Sequence, residues 1–266
     1  DFVFVGREEL DFSNGSKIAS FFKDNSFDII INCAAYTQVD KAEEEQELTN
    51  KVNHLAVSQL AQIIKNQKAK LIHISTDYVF DGQSDKPYKE IDKTNPINVY
   101  GKTKLAGEKA IQEILPTDAI IIRVSWLYSE YGSNFVKTMF KLGRKRSQIN
   151  VVSDQLGSPT YATDLADVIL QVIRHLNLKK RNQTTQIYHY SNEGKISWYE
   201  FAKEIFKIAK LDCRVKPISS KFYSSLAKRP NISLMSKNKI IQKFKLNIID
   251  FRKSLRLCIK TLSKKK

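Results

Sequence analysis

Three short apolar runs constrain this chain most: Asp28-Ile-Ile-Ile31, Leu71-Ile-His-Ile74 and Ala119-Ile-Ile-Ile-Arg-Val124. Each is short enough for a strand, and too continuously apolar for a strand with one wet face. The stretches between them have helical spacing. Residues 15–25 put Ile18, Phe21 and Phe22 on one face, with Ser13 or Asn14 available as a cap. Residues 41–67 read as a long helix that breaks near Asn50, and 99–113 as a third. Strands separated by helices of this length need right-handed parallel crossovers. The expected fold is therefore α/β, a Rossmann-like doubly wound parallel sheet. Residues 2–5, Phe-Val-Phe-Val, read as a further strand of that sheet.

After Tyr128 the pattern loosens. Residues 134–144 suggest an amphipathic helix, and 151–161, with Gly157 and Pro159, a loop. Thr163-Asp164 is placed to cap a helix to about 175, and 187–191 reads as a strand. Helices are expected at 197–209 and from a cap at Asp250 to 262. If the strand at 187–191 rejoins the first sheet, one lobe comprises 1–130 and 160–191. A smaller carboxyl-terminal lobe then comprises 131–159 and 192–266. The chain starts at Asp1 and contains no Gly-x-x-Gly-x-x-Gly or Gly-x-Gly-x-x-Gly turn. Such a turn opens most dinucleotide folds, so a preceding strand, glycine turn and helix are expected to be missing from this sequence.

The net charge of +16 raises the question of an anionic polymer as partner. The lysines are spread along the chain, however, and end in Lys264-Lys265-Lys266 without interleaved aromatics. A lysine-rich surface, with no nucleic acid bound, is the simpler reading. No apolar run is long enough to span a membrane. Cys33, Cys213 and Cys258 are scattered and read as reduced thiols of a cytoplasmic protein. His54, His73, His175 and His189 form no constellation, which argues against a metal site or a serine-histidine triad. The acidic run Asp40, Glu43, Glu44, Glu45 and Glu47 reads as a solvated helix start. Trp198, Tyr199, Phe201 and Phe206 read as core.

Ligands of doubly wound sheets bind at the carboxyl ends of the strands. Asn32-Cys33-Ala34-Ala35, Ser75-Thr76-Asp77 and Arg123-Val-Ser-Trp126 are three such ends. Ala34 and Ala35, followed by Tyr36, are small enough for a flat cofactor to approach the backbone, although a tight turn needs them equally. Tyr100 and Lys104 are four residues apart, about 6 Å along one helix face. In that geometry the ammonium can hold a cofactor ribose and lower the pKa of the phenol. Tyr100 can then protonate a carbonyl oxygen as hydride arrives, while Thr76 polarises the same oxygen. Arg7 follows the first strand-like run, where an arginine suits the 2′-phosphate of NADP. A solvated arginine is the competing reading. Asp11 and Phe12 could edge the adenine, unless Asp11 caps a helix instead.

These motifs have a recognisable pattern. The chain resembles the dTDP-4-dehydrorhamnose reductase family, a branch of the extended short-chain dehydrogenases/reductases. The likeness is carried by Arg7-Glu-Glu-Leu-Asp-Phe12, Asn32-Cys-Ala-Ala-Tyr-Thr-Gln-Val-Asp-Lys-Ala-Glu43 and Ser75-Thr-Asp-Tyr-Val-Phe-Asp-Gly82. It continues through Asn98-Val-Tyr-Gly-Lys-Thr-Lys-Leu-Ala-Gly-Glu108, Arg123-Val-Ser-Trp-Leu-Tyr128, Gly132-Ser-Asn-Phe-Val-Lys-Thr-Met139, Asp154-Gln-Leu-Gly-Ser-Pro-Thr160 and Ala227-Lys-Arg-Pro230. The resemblance implies NADPH-dependent reduction at C4 of dTDP-4-dehydro-β-L-rhamnose to dTDP-L-rhamnose, with NADH as a second candidate. That product is a sugar donor for bacterial surface polysaccharide. The resemblance also makes Thr76, Tyr100 and Lys104 the catalytic set, with Thr37, Val39, Thr76, Trp126, Asn134 and Arg229 around the sugar nucleotide. Some members dimerise, occasionally with a magnesium ion at the interface. Two other readings stand beside it: a non-catalytic dinucleotide-binding regulatory subunit, and an inactive fragment of the reductase.

Overall fold

The computed structural model describes residues 1–176 and 184–264; Lys265 and Lys266 of the lysine end lie outside the described residues. Helix α1 (Gly15–Asp24) leads into β1 (Ile29–Asn32). Next come α2 (Val39–Glu44), α3 (Gln46–Asn50), a π-helical turn (Lys51–Leu55) and α4 (Ala56–Gln67). Strand β2 (Lys70–Thr76), α5 (Val99–Ile114), β3 (Ala119–Val124) and β4 (Leu127–Tyr128) follow. The middle of the chain holds α6 (Phe135–Gly143), β5 (Gln148–Val152), β6 (Leu156–Gly157), β7 (Thr160–Tyr161) and α7 (Ala162–His175). After it come β8 (Gln186–Tyr190), β9 (Ile196–Ser197), α8 (Trp198–Ala209), β10 (Arg214–Ile218), α9 (Asn238–Phe244) and α10 (Phe251–Lys264).

The central sheet is parallel throughout, in the order β1-β2-β3-β8. Its register sets Ile30 beside Leu71, Ile72 beside Ile120 and Ile122 beside Tyr188. Helices cover both faces, which is why these strands carry isoleucine on both sides. One face packs Leu71, Ala119 and Ile121 against α1, α4 and Ile111 of α5. The other packs Ile72, Ile120, Ile122 and Tyr188 against Leu165 and Ile169 of α7 and Ile240 and Phe244 of α9. A separate core is built from α6, β5, α8 and α10 around Val136, Ile149, Phe201, Ile205 and Leu255.

Local chemistry explains most of the boundaries. Asn14, Asn98 and Asn134 cap α1, α5 and α6 by accepting from the backbone N–H of Lys17, Gly101 and Lys137. Ser197 and Glu200 form a capping box at α8. Asp250 accepts from the N–H of Arg252 at the start of α10.

Several expectations fail for identifiable reasons. Residues 2–5 form no strand, and Phe4 is 90% exposed, because β propensity without a hydrogen-bonded neighbour does not make one. The helix expected over 41–67 is interrupted at Glu45 as well as at the expected break near Asn50, where the π-helical turn joins α3 to α4. Thr163 and Asp164 do not cap α7: it starts after Tyr161 with no side-chain cap, and Asp164 accepts from Asn192 and Ser254 instead. The loop expected at 151–161 contains β6 and β7, and the parallel pairing of β5 with β10 was not foreseen from periodicity. Helix α9 packs on the central sheet rather than with the second core.

One buried ion pair ties the sheet to α5. Arg123 of β3 donates to both carboxylate oxygens of Glu108, Nε to Oε1 at 2.9 Å and Nη2 to Oε2 at 2.6 Å. Ser75 of β2 donates to the same Oε1 at 2.5 Å. Both charged side chains are buried, so removing one partner strands the other in a medium of low polarity. Arg123→Met should therefore cost about 3–5 kcal/mol in urea denaturation, and adding Glu108→Leu should recover most of that loss. A single variant as stable as the parent would contradict this.

Candidate functional site

The carboxyl ends of β1, β2 and β3 lie side by side because the three strands are parallel and in register. Helix α5 brings Tyr100 and Lys104 to the end of β2. Its first turn is seated directly on the backbone of Tyr78: a Cβ at Gly101 would overlap the Tyr78 carbonyl oxygen, so only glycine permits this approach. Asn98 strengthens the seat by donating to the carbonyl of Lys228 at 2.8 Å. The carboxylate of Glu43 accepts from the N–H of Val99 at 2.8 Å.

Tyr100 packs edge-on against Tyr78, with centroids 5.7 Å apart at 75°. Its phenol is pushed up to about 12, chiefly by burial, against the Thr76 hydroxyl, which favours phenolate. This departs from the lowered phenol expected from the sequence. The Lys104 ammonium donates to the carbonyl of Ile74 at 2.7 Å and lies 3.3 Å from Nε2 of His73. Burial brings Lys104 down to about 8, opposed by Glu108, so it keeps its charge at neutral pH. His73 is held well below its ordinary value, first by burial and then by Lys104, and stays neutral. Its Nδ1 faces the side-chain nitrogen of Asn32 at 3.1 Å.

Thr76 donates to Oδ1 of Asp77 at 3.0 Å and accepts from the N–H of Tyr78 at 3.2 Å. The Asp77 carboxyl is raised to about 7 by burial, and its Oδ2 has no partner. Thr76, Tyr100 and Asp77 thus form a compact, poorly hydrated group of hydroxyls and one acid.

A cavity of about 570 Å³ lies at β1, lined also by Phe21, Phe22, Ile30 and Leu60; Thr76, Asp77, Tyr100 and Lys104 do not line it. All of Arg7, Asp11, Phe12, Ala34, Ala35 and Tyr36 line it. The Arg7 guanidinium is 80% exposed, 3.8 Å from the Asp11 carboxylate. Asp11 caps no helix; it accepts from the backbone and hydroxyl of Ser13, which holds its carboxyl below the usual range. An exposed cation at Arg7 and the small residues Ala34 and Ala35 along the wall suit a dinucleotide.

The sugar-side residues fare differently. Thr37 is exposed and Val39 half-buried at the start of α2. Asn134 is occupied as the cap of α6 and donates to the carbonyls of Ser129 and Tyr131. Arg229 is paired with Asp40, Nη2 to Oδ2 at 2.6 Å and Nη1 to Oδ1 at 3.1 Å, and also donates to the carbonyl of Ala227. The acidic run is only partly a solvated face: Glu44, Glu45 and Glu47 are exposed, but Asp40 holds Arg229, Glu43 holds Val99 and Glu45 accepts from Tyr36. Trp126 does not stand alone as a wall but stacks on Trp198 at 3.5 Å.

Sequence reasoning missed Asn53. It is fully buried in the π-helical turn and clamps the backbone of Tyr36, accepting from its N–H at 2.8 Å and donating to its carbonyl at 3.1 Å. Such turns recur at functional sites, but nothing in the local sequence marks one. His73 was detectable as a lone polar residue in an apolar strand. Among the described residues, no cluster of three or more His, Cys, Asp or Glu side chains could hold a metal ion, and no helix is long and apolar enough to cross a membrane.

Comparison with known proteins gives a consistent answer. Residues 1–264 match the family model described as "RmlD substrate binding domain". The chain is 39% identical to dTDP-4-dehydrorhamnose reductase of Aggregatibacter actinomycetemcomitans, over 93% of this chain and 86% of that protein. It is also 39% identical to the Escherichia coli K12 enzyme of the same name, over 91% and 82%. A crystal structure of the Bacillus anthracis dTDP-4-dehydrorhamnose reductase in complex with NADP superposes with a TM-score of 0.90 at 38% identity. That match covers 97% of this chain and 89% of the other. Thermus thermophilus UDP-glucose 4-epimerase, at 15% identity and a TM-score of 0.79, shares the fold.

Asp77 makes a testable claim on stability. Its folded pKa of about 7 lies above the ordinary value of 3.8, so the folded state holds an extra proton between those values. Stability from this group is full below about pH 4 and declines as pH rises through 7. Asp77→Asn should become progressively more stable than the parent across that window in thermal melts, and a constant difference would contradict the assignment.

Proposed function

The chain belongs to the dTDP-4-dehydrorhamnose reductase family, and from that premise we propose that Tyr100, Thr76 and Lys104 carry out its reaction. The reaction is reduction of the C4 ketone of dTDP-4-dehydro-β-L-rhamnose to dTDP-L-rhamnose, a step in making a rhamnose donor. NADPH supplies the hydride. The observation that carries the residue assignment is the half-buried Tyr100, whose phenol is raised to about 12 in reach of the Thr76 hydroxyl. A ketone being reduced needs a proton, and a phenol with this pKa holds one throughout the neutral range. Thr76 donates to the carbonyl oxygen and orients it, and Tyr100 releases its proton to that oxygen as negative charge develops. Lys104, charged and buried behind them, positions a ribose hydroxyl and favours the phenolate left after proton transfer.

Arg7 would hold the 2′-phosphate, with Asp11 and Phe12 at the adenine and Ala34, Ala35 and Tyr36 along the wall. Their common cavity supports this placement. Thr37, Val39, Trp126, Asn134 and Arg229 would surround the sugar nucleotide. Arg229 would reach it through donors that Asp40 and Ala227 leave free. We assign 1–130 and 160–191 to the cofactor lobe and 131–159 and 192–266 to the sugar lobe, apart from α9, which packs on the sheet. The separate core of α6, α8 and α10 supports that division. Three free cysteines support a reducing, cytoplasmic setting.

Tyr100→Phe should abolish turnover, by about 10²-fold or more, while leaving NADPH binding within a few-fold of the parent. The check is NADPH oxidation with the dTDP-4-keto sugar generated in situ. Activity retained within a few-fold would remove Tyr100 as the acid, and absence of turnover in the parent protein would favour a non-catalytic dinucleotide binder. Arg7→Ala should weaken NADPH more than NADH in the same assay, and equal losses would defeat the 2′-phosphate role.

A further inference from the structure

Both tryptophans of the chain, Trp126 and Trp198, lie face to face, with ring centroids 3.5 Å apart and planes inclined by 8°. They arrive from distant elements. Trp126 follows β3, at the strand ends that form the site, and Trp198 opens α8 in the other core. Trp126 is also conformationally unusual. Among the described residues, the non-glycine positions with positive φ are Lys68, Lys210, Lys245 and Trp126. The three lysines close the carboxyl ends of α4, α8 and α9, where a left-handed residue is the ordinary termination. Trp126, at φ 49°, terminates no helix. A bulky aromatic held in this region persists only where its surroundings over-determine it.

Those surroundings are identifiable. The Trp126 carbonyl accepts from the N–H of Thr160 at 3.1 Å, and Leu127 pairs with Thr160 in the next ladder. Gly157 lies against the indole so closely that a Cβ would fall 2.6 Å from Nε1. Gly157 in turn pairs with Ile196, two residues before Trp198. Ledge and stacking partner therefore belong to one small unit, β6 with β9 and the start of α8. The capping box of Ser197 and Glu200 fixes the first turn of α8, and Phe135 packs on Trp198 at 4.5 Å. Trp198 is thus held from its own helix, and it covers one face of the Trp126 indole.

We propose that Trp198 is a positioning residue for the sugar side of the site. It holds the Trp126 indole, on a strained backbone, where the indole meets the apolar part of the deoxysugar. The proposal rests on the reading of Trp126 as a sugar-facing wall. Trp198 reaches the substrate only through Trp126, so its removal should act on the sugar and not on the dinucleotide.

Because these are the only tryptophans, a stacked pair should give an exciton couplet in far-ultraviolet circular dichroism that no other residues of this type can produce. Three variants test the idea: Trp198→Leu, Trp198→Phe and Trp126→Leu. We expect Trp198→Leu to lose the couplet and raise KM for the dTDP-4-keto sugar about tenfold, with kcat and KM for NADPH within about twofold. Trp198→Phe, which keeps an aromatic face, should return the sugar KM to within about threefold of the parent. If Trp198→Leu does not fold, Trp198→Met takes its place: a sugar KM raised about tenfold with KM for NADPH unchanged supports the proposal, and an unchanged sugar KM overturns it. In folded Trp198→Leu, a lost couplet with unchanged sugar KM overturns it. So does an equal rise in KM for sugar and NADPH. Trp126→Leu separates the two layers: if it raises the sugar KM while Trp198→Leu does not, the positioning role fails. If Trp126→Leu leaves the sugar KM unchanged, the sugar-wall reading fails and the proposal falls with it.

Discussion

The ion pair of Glu108 with Arg123 is the interaction on which the remaining architecture depends. Two charges are taken out of water at the centre of the molecule, and that is tolerable only because every strong donor and acceptor is used. Glu108 takes two guanidinium bonds and the Ser75 hydroxyl. Arg123 lies over the ring of Phe80 at 5.2 Å and within 3.5 Å of His189 Nε2. The network therefore touches β2, β3, β8 and α5 at once. Apolar contact alone would let α5 slide along the sheet, since isoleucine packing has little directionality. A bidentate pair does not slide, and it fixes where the first turns of α5 deliver Tyr100 and Lys104.

The second constraint is desolvation at the site itself. Burial raises the Tyr100 phenol and the Asp77 acid and lowers Lys104 and His73. All four shifts favour the neutral form, as expected where water is scarce. The phenol keeps its proton and Lys104, at about 8, is still mostly cationic near pH 7. A phenol that keeps its proton and a buried cation on the same helix are compatible with the carbonyl reduction proposed above. His73 stays neutral between Asn32 and Lys104, so it fills the space behind the lysine without adding a competing charge.

How legible this was depends on the range of the interactions. Strand β3 could be read to the residue, because six consecutive buried positions leave no ambiguity about its environment. The caps at Asn14, Asn98, Asn134 and Ser197 are local side-chain to backbone bonds and could be recognised from a few residues. Arg123 stands inside an isoleucine run, but its pairing with Glu108 became visible only in the fold. A break near Asn50 was legible, but not that it would be a π-helical turn whose Asn53 clamps Tyr36, seventeen residues away. Residues 2–5 mislead in the opposite sense: they have strand propensity and no strand beside them.

By itself the sequence determined the alternation of strands and helices, the family, and the phenol, ammonium and hydroxyl to which we assign the reaction. These follow from side-chain type and short-range spacing, which a linear chain carries explicitly. Tertiary structure alone decided the charge states and the partners. Asp40 was assigned to a solvated face and holds Arg229, 189 residues away; Trp126 was assigned to a wall and leans on Trp198. Burial and cross-chain contact set both outcomes, and neither quantity exists until the chain has closed on itself.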